Sequence, residues 1–62
     1  MNENLVLNCP EVMTPEQVAE LLQVSSNTVY KLLHSKELTC FTIGKYYRIT
    51  KHSLLKFMQH SP

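Results

Sequence analysis

The chain has 62 residues, of which 44% are hydrophobic, so it is long enough for one small folded domain and too short for a second. This length leaves little room for a substrate cleft. The sequence also contains no paired carboxylates, Ser-His-Asp set or glycine-rich phosphate loop, so we expect no enzyme. No apolar run approaches the roughly 20 residues that span a bilayer, and the N-terminus lacks the pattern of a secretion signal. We therefore expect a cytoplasmic protein with no membrane partner.

Charged residues are separated along the sequence, although the net charge is only +1. The first 24 residues contain four acids and no base, and the remaining 38 contain six bases and one acid. The bases are Lys31, Lys36, Lys45, Arg48, Lys51 and Lys56. A small domain with one basic side is suited to binding a polyanion, and chance clustering on a solvated surface is the alternative.

The two cysteines and three histidines do not have the spacing of a metal site. Cys9 and Cys40 form no CxxC pair, and no two of these five residues are spaced as in a zinc finger. We therefore expect free thiols, no metal and no cofactor.

Residues 1–12 show no sustained periodicity, and Pro10 interrupts any longer element. We expect a poorly ordered N-terminal arm, with Leu5 and Leu7 in a short edge strand or lying over the core. The folded domain is then expected to span residues 13–60.

A first helix is predicted to begin at Thr14-Pro15-Glu16-Gln17. Thr14 is a suitable N-cap, Pro15 fits the first helical position, and Gln17 completes a capping box. Apolar residues then recur at helical spacing: Val18, Ala19, Leu21 and Leu22. This helix is expected to end near Gln23, after about eight residues.

Residues 24–36, with the sequence VSSNTVYKLLHSK, predict a second helix with Ser25 as its N-cap. Its apolar stripe consists of Val29, Leu32 and Leu33. The opposite stripe carries Asn27, Lys31 and His34, with Ser26 and Tyr30 on one flank and Thr28 on the other. An amide, a cation and an imidazole are groups that bond to DNA bases or phosphates. An ordinary amphipathic helix with a solvated face is the alternative.

Two short helices about three residues apart, each with one apolar stripe, indicate a helix-turn-helix. A generic hairpin of two helices is the alternative. The short spacing and the polar outer stripe of the second helix favour the DNA-binding version.

After Lys36 the apolar period changes to two. Phe41, Ile43, Tyr47 and Ile49 alternate on either side of Gly44, the only glycine in the chain. This pattern predicts two strands joined by a turn at the glycine.

Two strand registers are compatible with this pattern. A two-residue Gly44-Lys45 loop would pair Ile43 with Tyr46 and Phe41 with Arg48. A longer loop would pair Ile43 with Tyr47 and Phe41 with Ile49, which keeps one face apolar, so we prefer this register. It would leave Thr42, Tyr46 and Arg48 facing outward, with Lys45 at the tip.

A two-stranded hairpin is marginal alone, so it is expected to pack against the helices as a wing. Lys45 and Arg48 can then reach phosphates or an adjacent minor groove. A structural hairpin with incidental charge is the alternative. Thr50 or Ser53 can cap a closing helix with Leu54 on its apolar stripe. The expected fold is therefore α+β and mostly α: two short helices, a two-stranded wing and a closing helix.

The segments MTPEQVAELLQVSSNTVYKLL and FTIGKYYRI, in this order, resemble the excisionase-type DNA-binding domains related to the MerR superfamily. The resemblance covers roughly residues 12–59. The V-S-x-x-T-V-Y-(K/R)-L pattern of that family matches Val24, Ser25, Thr28, Val29, Tyr30, Lys31 and Leu32. Its wing pattern matches Gly44, Lys45, Tyr47, Arg48 and Ile49.

The resemblance implies a recognition helix in the major groove and a wing against the adjoining backbone or minor groove. The candidate DNA-binding residues are Ser26, Asn27, Thr28, Tyr30, Lys31, His34, Lys45, Tyr46 and Arg48. We expect Asn27 and His34 to read bases, and Lys31 to contact a base or a phosphate. Thr28 and Tyr30 are expected to contact the backbone, which Lys45 and Arg48 would also hold through the wing.

Members of the resembling family often assist a tyrosine-type integrase in excising a mobile element, and others regulate transcription. The expected function is therefore sequence-selective binding of double-stranded DNA at the nucleoid, as an excision accessory factor that assists an integrase. A small transcription regulator is the alternative. A protein-interaction module is the alternative from another class.

This chain has Ser26 and Asn27 where family members commonly carry arginine, and Tyr46 where a second base is common. A glycine that usually follows the recognition helix is replaced by Ser35-Lys36-Glu37. Fewer charges imply weaker binding by one copy, so we expect cooperative self-association of several copies on DNA.

Overall fold

The computed structural model describes residues 8–60, so the predictions for Leu5 and Leu7 lie outside the described residues. In chain order the elements are strand β1 (Val12–Met13), helix α1 (Pro15–Leu22), helix α2 (Ser26–His34), strand β2 (Phe41–Ile43), strand β3 (Tyr46–Thr50) and helix α3 (Lys51–His60). Three helices and an antiparallel sheet confirm the predicted α+β fold of a small winged helix-turn-helix.

Each helix begins where a polar side chain binds the free N–H groups of its first turn. In α1 the predicted capping box is present: the Thr14 hydroxyl accepts from the Gln17 N–H at 3.1 Å, and Gln17 Oε1 accepts from the Thr14 N–H at 2.9 Å. The Ser25 hydroxyl accepts from the Thr28 N–H at 3.2 Å and so caps α2. Thr50, not Ser53, caps α3, because its hydroxyl accepts from the Ser53 N–H at 3.0 Å.

The turn between α1 and α2 depends on one left-handed residue. Gln23 has a φ of 60°, which reverses the chain after Leu22. The Val24 N–H then donates to the Ala19 carbonyl at 3.0 Å and satisfies an end carbonyl of α1. The cap of α2 can therefore follow within three residues of the end of α1.

The sheet has three strands, one more than the sequence predicts. Strand β3 lies in the centre, with β1 on one side and β2 on the other, and both pairings are antiparallel. Val12 lies opposite Thr50, and Met13 lies opposite Ile49. Strand β1 has only two residues, too few for a sequence periodicity to indicate it.

The preferred register of the hairpin is wrong, and the two-residue loop is present instead. Ile43 lies opposite Tyr46, Thr42 opposite Tyr47 and Phe41 opposite Arg48. Gly44 has a φ of 62°, and a glycine of positive φ at the first central position is typical of the type II′ turn, whose twist matches that of the strands. The turn geometry therefore outweighs the gain from an all-apolar face.

Because of this register, Phe41 and Ile43 lie on the outward face of the hairpin with Tyr46 and Arg48. We predicted an inward position for both, and both are exposed. Thr42, which we predicted to face outward, instead shares the face of Tyr47.

The core is built by every described helix and strand except β2. Its buried side chains are Met13, Val18, Ala19, Val29, Leu33, Leu38, Ile49 and Leu54. Leu38 belongs to the segment between α2 and β2, and its N–H donates to the Leu32 carbonyl at 3.2 Å. A core of this size gives a small domain only marginal stability, so single buried side chains matter.

Two isoleucines of the hairpin test the register directly. Ile49 is 0% exposed and Ile43 is 59% exposed. We expect Ile49→Ala to lower the free energy of unfolding by about 2–4 kcal/mol, because it leaves a cavity in the core. Ile43→Ala should change it by less than about 0.5 kcal/mol. Urea unfolding at low protein concentration measures both free energies. A similar decrease of the unfolding free energy in the two variants would contradict the two-residue register.

Candidate nucleic-acid interface

Helix α2 presents one buried and one solvent-exposed side. Val29 and Leu33 are buried in the core. Asn27, Lys31 and His34 are exposed along the opposite stripe. Within residues 8–60, the side chains of Asn27 and Lys31 form no hydrogen bond or ion pair, so their polar groups are available to a ligand. The structure thus brings three of the predicted site residues onto one surface.

The first turn of α2 holds two further predicted residues in different ways. The Thr28 hydroxyl lies 2.9 Å from the Ser25 hydroxyl, and Thr28 is exposed. Ser26 is half-buried. Of these two residues, Thr28 is therefore the better placed to meet a phosphate at the start of the helix, while its hydroxyl also supports the cap.

Tyr30 lies on the flank of α2 and is bonded to helix α1. Its hydroxyl donates to Glu16 Oε2 at 3.1 Å, an interaction across 14 positions that the sequence analysis missed. A phenol has one proton to donate, so contact with a phosphate oxygen would require the bond to Glu16 to break. Glu16 also places a negative charge beside this flank.

The same hydrogen bond raises the pKa of the Tyr30 hydroxyl above its ordinary value. The bond to Glu16 is the main cause, because it holds the phenolic proton. Partial burial and the negative charge of Glu16 act in the same direction, since both disfavour the phenolate.

Tyr47 connects helix α2 to the wing and was not among the predicted site residues. Its ring packs edge-on against Tyr30, with 5.9 Å between ring centroids, and against His34, with 6.2 Å. Tyr30 and His34 are one helical turn apart, so one inward ring of β3 contacts two successive turns of α2. The alternation of apolar residues indicated an inward Tyr47 without showing which helix it would meet.

The predicted cations of the wing lie around one exposed aromatic ring. Lys45 Nζ and Arg48 Cζ are each 5.7 Å from the centre of the Tyr46 ring. Arg48 also donates from Nη1 to the Tyr47 carbonyl at 2.7 Å. Tyr46 is 57% exposed, so the group of Lys45, Tyr46 and Arg48 is accessible and partly fixed.

None of the acids in the described part of the chain belongs to α2 or to the wing. Among the described residues, Glu11, Glu16 and Glu20 precede α2, and Glu11 pairs with Lys51 at 3.3 Å. No group of three described His, Cys, Asp or Glu residues could hold a metal ion. Between residues 8 and 60, no helix has the length and apolar character needed to cross a membrane.

A family model described as a helix-turn-helix domain matches residues 12–61. That range contains α1, α3 and the two elements that carry the candidate interface, α2 and the wing. No match was found among curated proteins or among solved structures.

The Tyr30–Glu16 bond predicts a titration that is measurable in solution. Replacing Glu16 with alanine should lower the pKa of Tyr30 towards its ordinary value of 10.0, because the acceptor and its charge are removed. The folded state favours the neutral phenol. The bond to Glu16 therefore stabilises the folded protein fully at pH values below the ordinary pKa of tyrosine. This stabilisation is lost as the pH rises through the raised pKa of Tyr30 in the folded protein.

Carbon-13 NMR of the tyrosine ring carbons follows this titration, with Tyr30→Phe to assign the signal. Glu20→Ala is a matched control, since it removes an exposed acid from the same helix. A Tyr30 pKa that is unaffected by Glu16→Ala would show that the bond does not form in solution.

Proposed function

Since the chain belongs to the helix-turn-helix domain family, a DNA-binding family that includes excisionase-like proteins, we propose that it binds double-stranded DNA selectively and acts as an excision accessory factor. In this role it would assist a tyrosine-type integrase in excising a mobile element, working at the nucleoid. Domains of this family are typically non-enzymatic, which agrees with a binding role. The observation that carries the proposal is the exposed stripe of Asn27, Lys31 and His34 beside a cation-bearing wing.

In the proposed complex, α2 lies in the major groove. The Asn27 amide can both donate to and accept from one adenine, which distinguishes that base pair from the others. His34 reads a second base, and Lys31 bonds to a base or to a phosphate. Thr28 contacts the backbone at the start of the helix, with Ser26 beside it.

The wing supplies contacts that do not depend on the base sequence. Lys45 and Arg48 can bind phosphates or the edge of an adjacent minor groove, and Tyr46 supports both cations. We now assign Tyr30 a positioning role, because Glu16 already accepts its hydroxyl proton. This assignment leaves the Thr28 hydroxyl and three cations, Lys31, Lys45 and Arg48, as phosphate contacts of one copy. So few contacts favour cooperative binding of several copies.

Substitutions at Asn27 and Lys45 should have different effects on DNA binding. A target site would first be obtained by in vitro selection from random duplexes. Asn27→Ala should then weaken binding to that site by about 1–3 kcal/mol and relax the preference at one or two base pairs. Lys45→Ala should weaken binding to all sequences alike, and should make the slope of log affinity against log salt shallower by about one.

For the unmodified protein, three cation–phosphate contacts predict a slope of about −2 to −3 in log affinity against log salt. Lys56→Ala is the matched control for charge, because it removes an exposed lysine of α3, outside both α2 and the wing. Equal losses of DNA affinity in Lys45→Ala and Lys56→Ala would show that net charge alone controls binding. Binding that is independent of salt would contradict the phosphate contacts.

The excision role has its own test. Purified integrase from the same genome, a plasmid with the two ends of the element and this protein should together yield the excised circle. Omitting the protein, or replacing it with Lys31→Ala, should reduce excision, because DNA binding is impaired. DNA binding without any effect on excision would favour a small transcription regulator instead.

A further inference from the structure

The outward face of the sheet carries most of the exposed apolar side chains. Five large hydrophobic residues among the described ones are exposed, and four of them lie on this face: Val12, Phe41, Ile43 and Tyr46. Single exposed apolar residues are common, whereas several on one face indicate an interaction surface. Neither the core nor the proposed DNA contacts of α2 account for Phe41 and Ile43.

Strand β2 forms one edge of this sheet, since it pairs with β3 alone. Ile43 and Tyr46 flank the two-residue turn, and such a pair exchanges hydrogen bonds across the hairpin. Bonded and non-bonded pairs alternate along antiparallel strands, so Thr42 and Tyr47 form a non-bonded pair. The backbone N–H and C=O of Thr42 therefore point away from β3, towards the free edge.

We propose that a second copy of this chain pairs with the free edge of β2, antiparallel to it, about a two-fold axis at Thr42. The N–H of Thr42 in each copy then donates to the C=O of Thr42 in the other copy. In this register Phe41 of each copy lies opposite Ile43 of the other, on the outward face. This register satisfies the Thr42 backbone groups at the free edge. It also brings the apolar side chains of Phe41 and Ile43 together on the outward face.

The charges on the wing favour pairing along the edge over stacking of the two outward faces. Stacked faces would bring the Lys45 and Arg48 cations of both copies together. In an antiparallel edge pair, the two Gly44-Lys45 turns lie at opposite ends of the contact, so these cations stay apart. The same geometry joins two three-stranded sheets into one, with a continuous apolar outward face.

The contact is small, because β2 has three residues. Interfaces well below about 1,200 Å² are weak and transient, so we expect a monomer–dimer equilibrium with a dissociation constant of about 0.1–1 mM. On adjacent DNA sites the effective concentration reaches the millimolar range, which would populate the dimer. This last step rests on the proposed function, and a two-fold dimer then requires inverted half-sites.

Sedimentation equilibrium without DNA tests the pairing and does not depend on the proposed function. The wild-type chain should pass from monomer to dimer as its concentration rises towards about 1 mM. Thr42→Pro removes the outward N–H without removing a hydrogen bond of its own hairpin, and it should weaken association by about tenfold or more. Thr42→Val keeps the N–H and should associate as the wild type does.

Ile43→Lys is a second variant, and it should also abolish the dimer, because it places a cation opposite Phe41 of the other copy. Circular dichroism checks that each variant is folded. A wild-type chain that stays monomeric at about 1 mM would overturn the proposal. So would folded Thr42→Pro and Ile43→Lys variants that associate as strongly as the wild type. Lys31→Ala should lose DNA binding and keep the dimer, which separates this proposal from the function above.

Discussion

The placement of the wing beside α2 depends on which side chains of strand β3 point into the core. Ile49 points inward and fills the core, and two positions earlier Tyr47 points inward and meets Tyr30 and His34 of α2. A shift of one residue would exchange the two faces of the strand. It would also remove Ile49 from the core, at a cost of about 1.5–3 kcal/mol, which is a large fraction of the stability of so small a domain. Burial of one side chain therefore fixes which residues of β3 the wing presents to solvent.

The sequence predicted the elements whose signals are local. The capping residues Thr14 and Ser25 act on N–H groups three residues away, so four letters of sequence suffice to find them. The order of helices and strands followed from the change of apolar period after Lys36. The hairpin register required a choice between turn geometry and an apolar face. Weighting the side-chain pattern above the glycine turn gave the wrong pairing for Phe41 and Ile43.

Contacts between distant positions could not be predicted in this way. The Tyr30–Glu16 bond and the Tyr30–Tyr47 packing join residues 14 or more positions apart, and neither leaves a periodic signal. Lys36 is an intermediate case, because its φ of 64° is a left-handed conformation that glycine adopts without steric cost. It lies in the Ser35-Lys36-Glu37 segment, where a glycine was expected from the resemblance. The sequence shows this departure, and the backbone angle shows what it requires of the residue there.

In the proposed DNA complex, the wing would compensate for the few charges on helix α2. Long cationic side chains lose conformational freedom when they bind a phosphate, and that loss opposes binding. Arg48 is already restrained by the Tyr47 carbonyl and the Tyr46 ring, and Lys45 lies over the same ring. Restraint before binding reduces the loss for both cations. In the proposed complex, a helix that begins with Ser26 and Asn27 would contribute selectivity, while the wing would contribute affinity at a lower entropic cost.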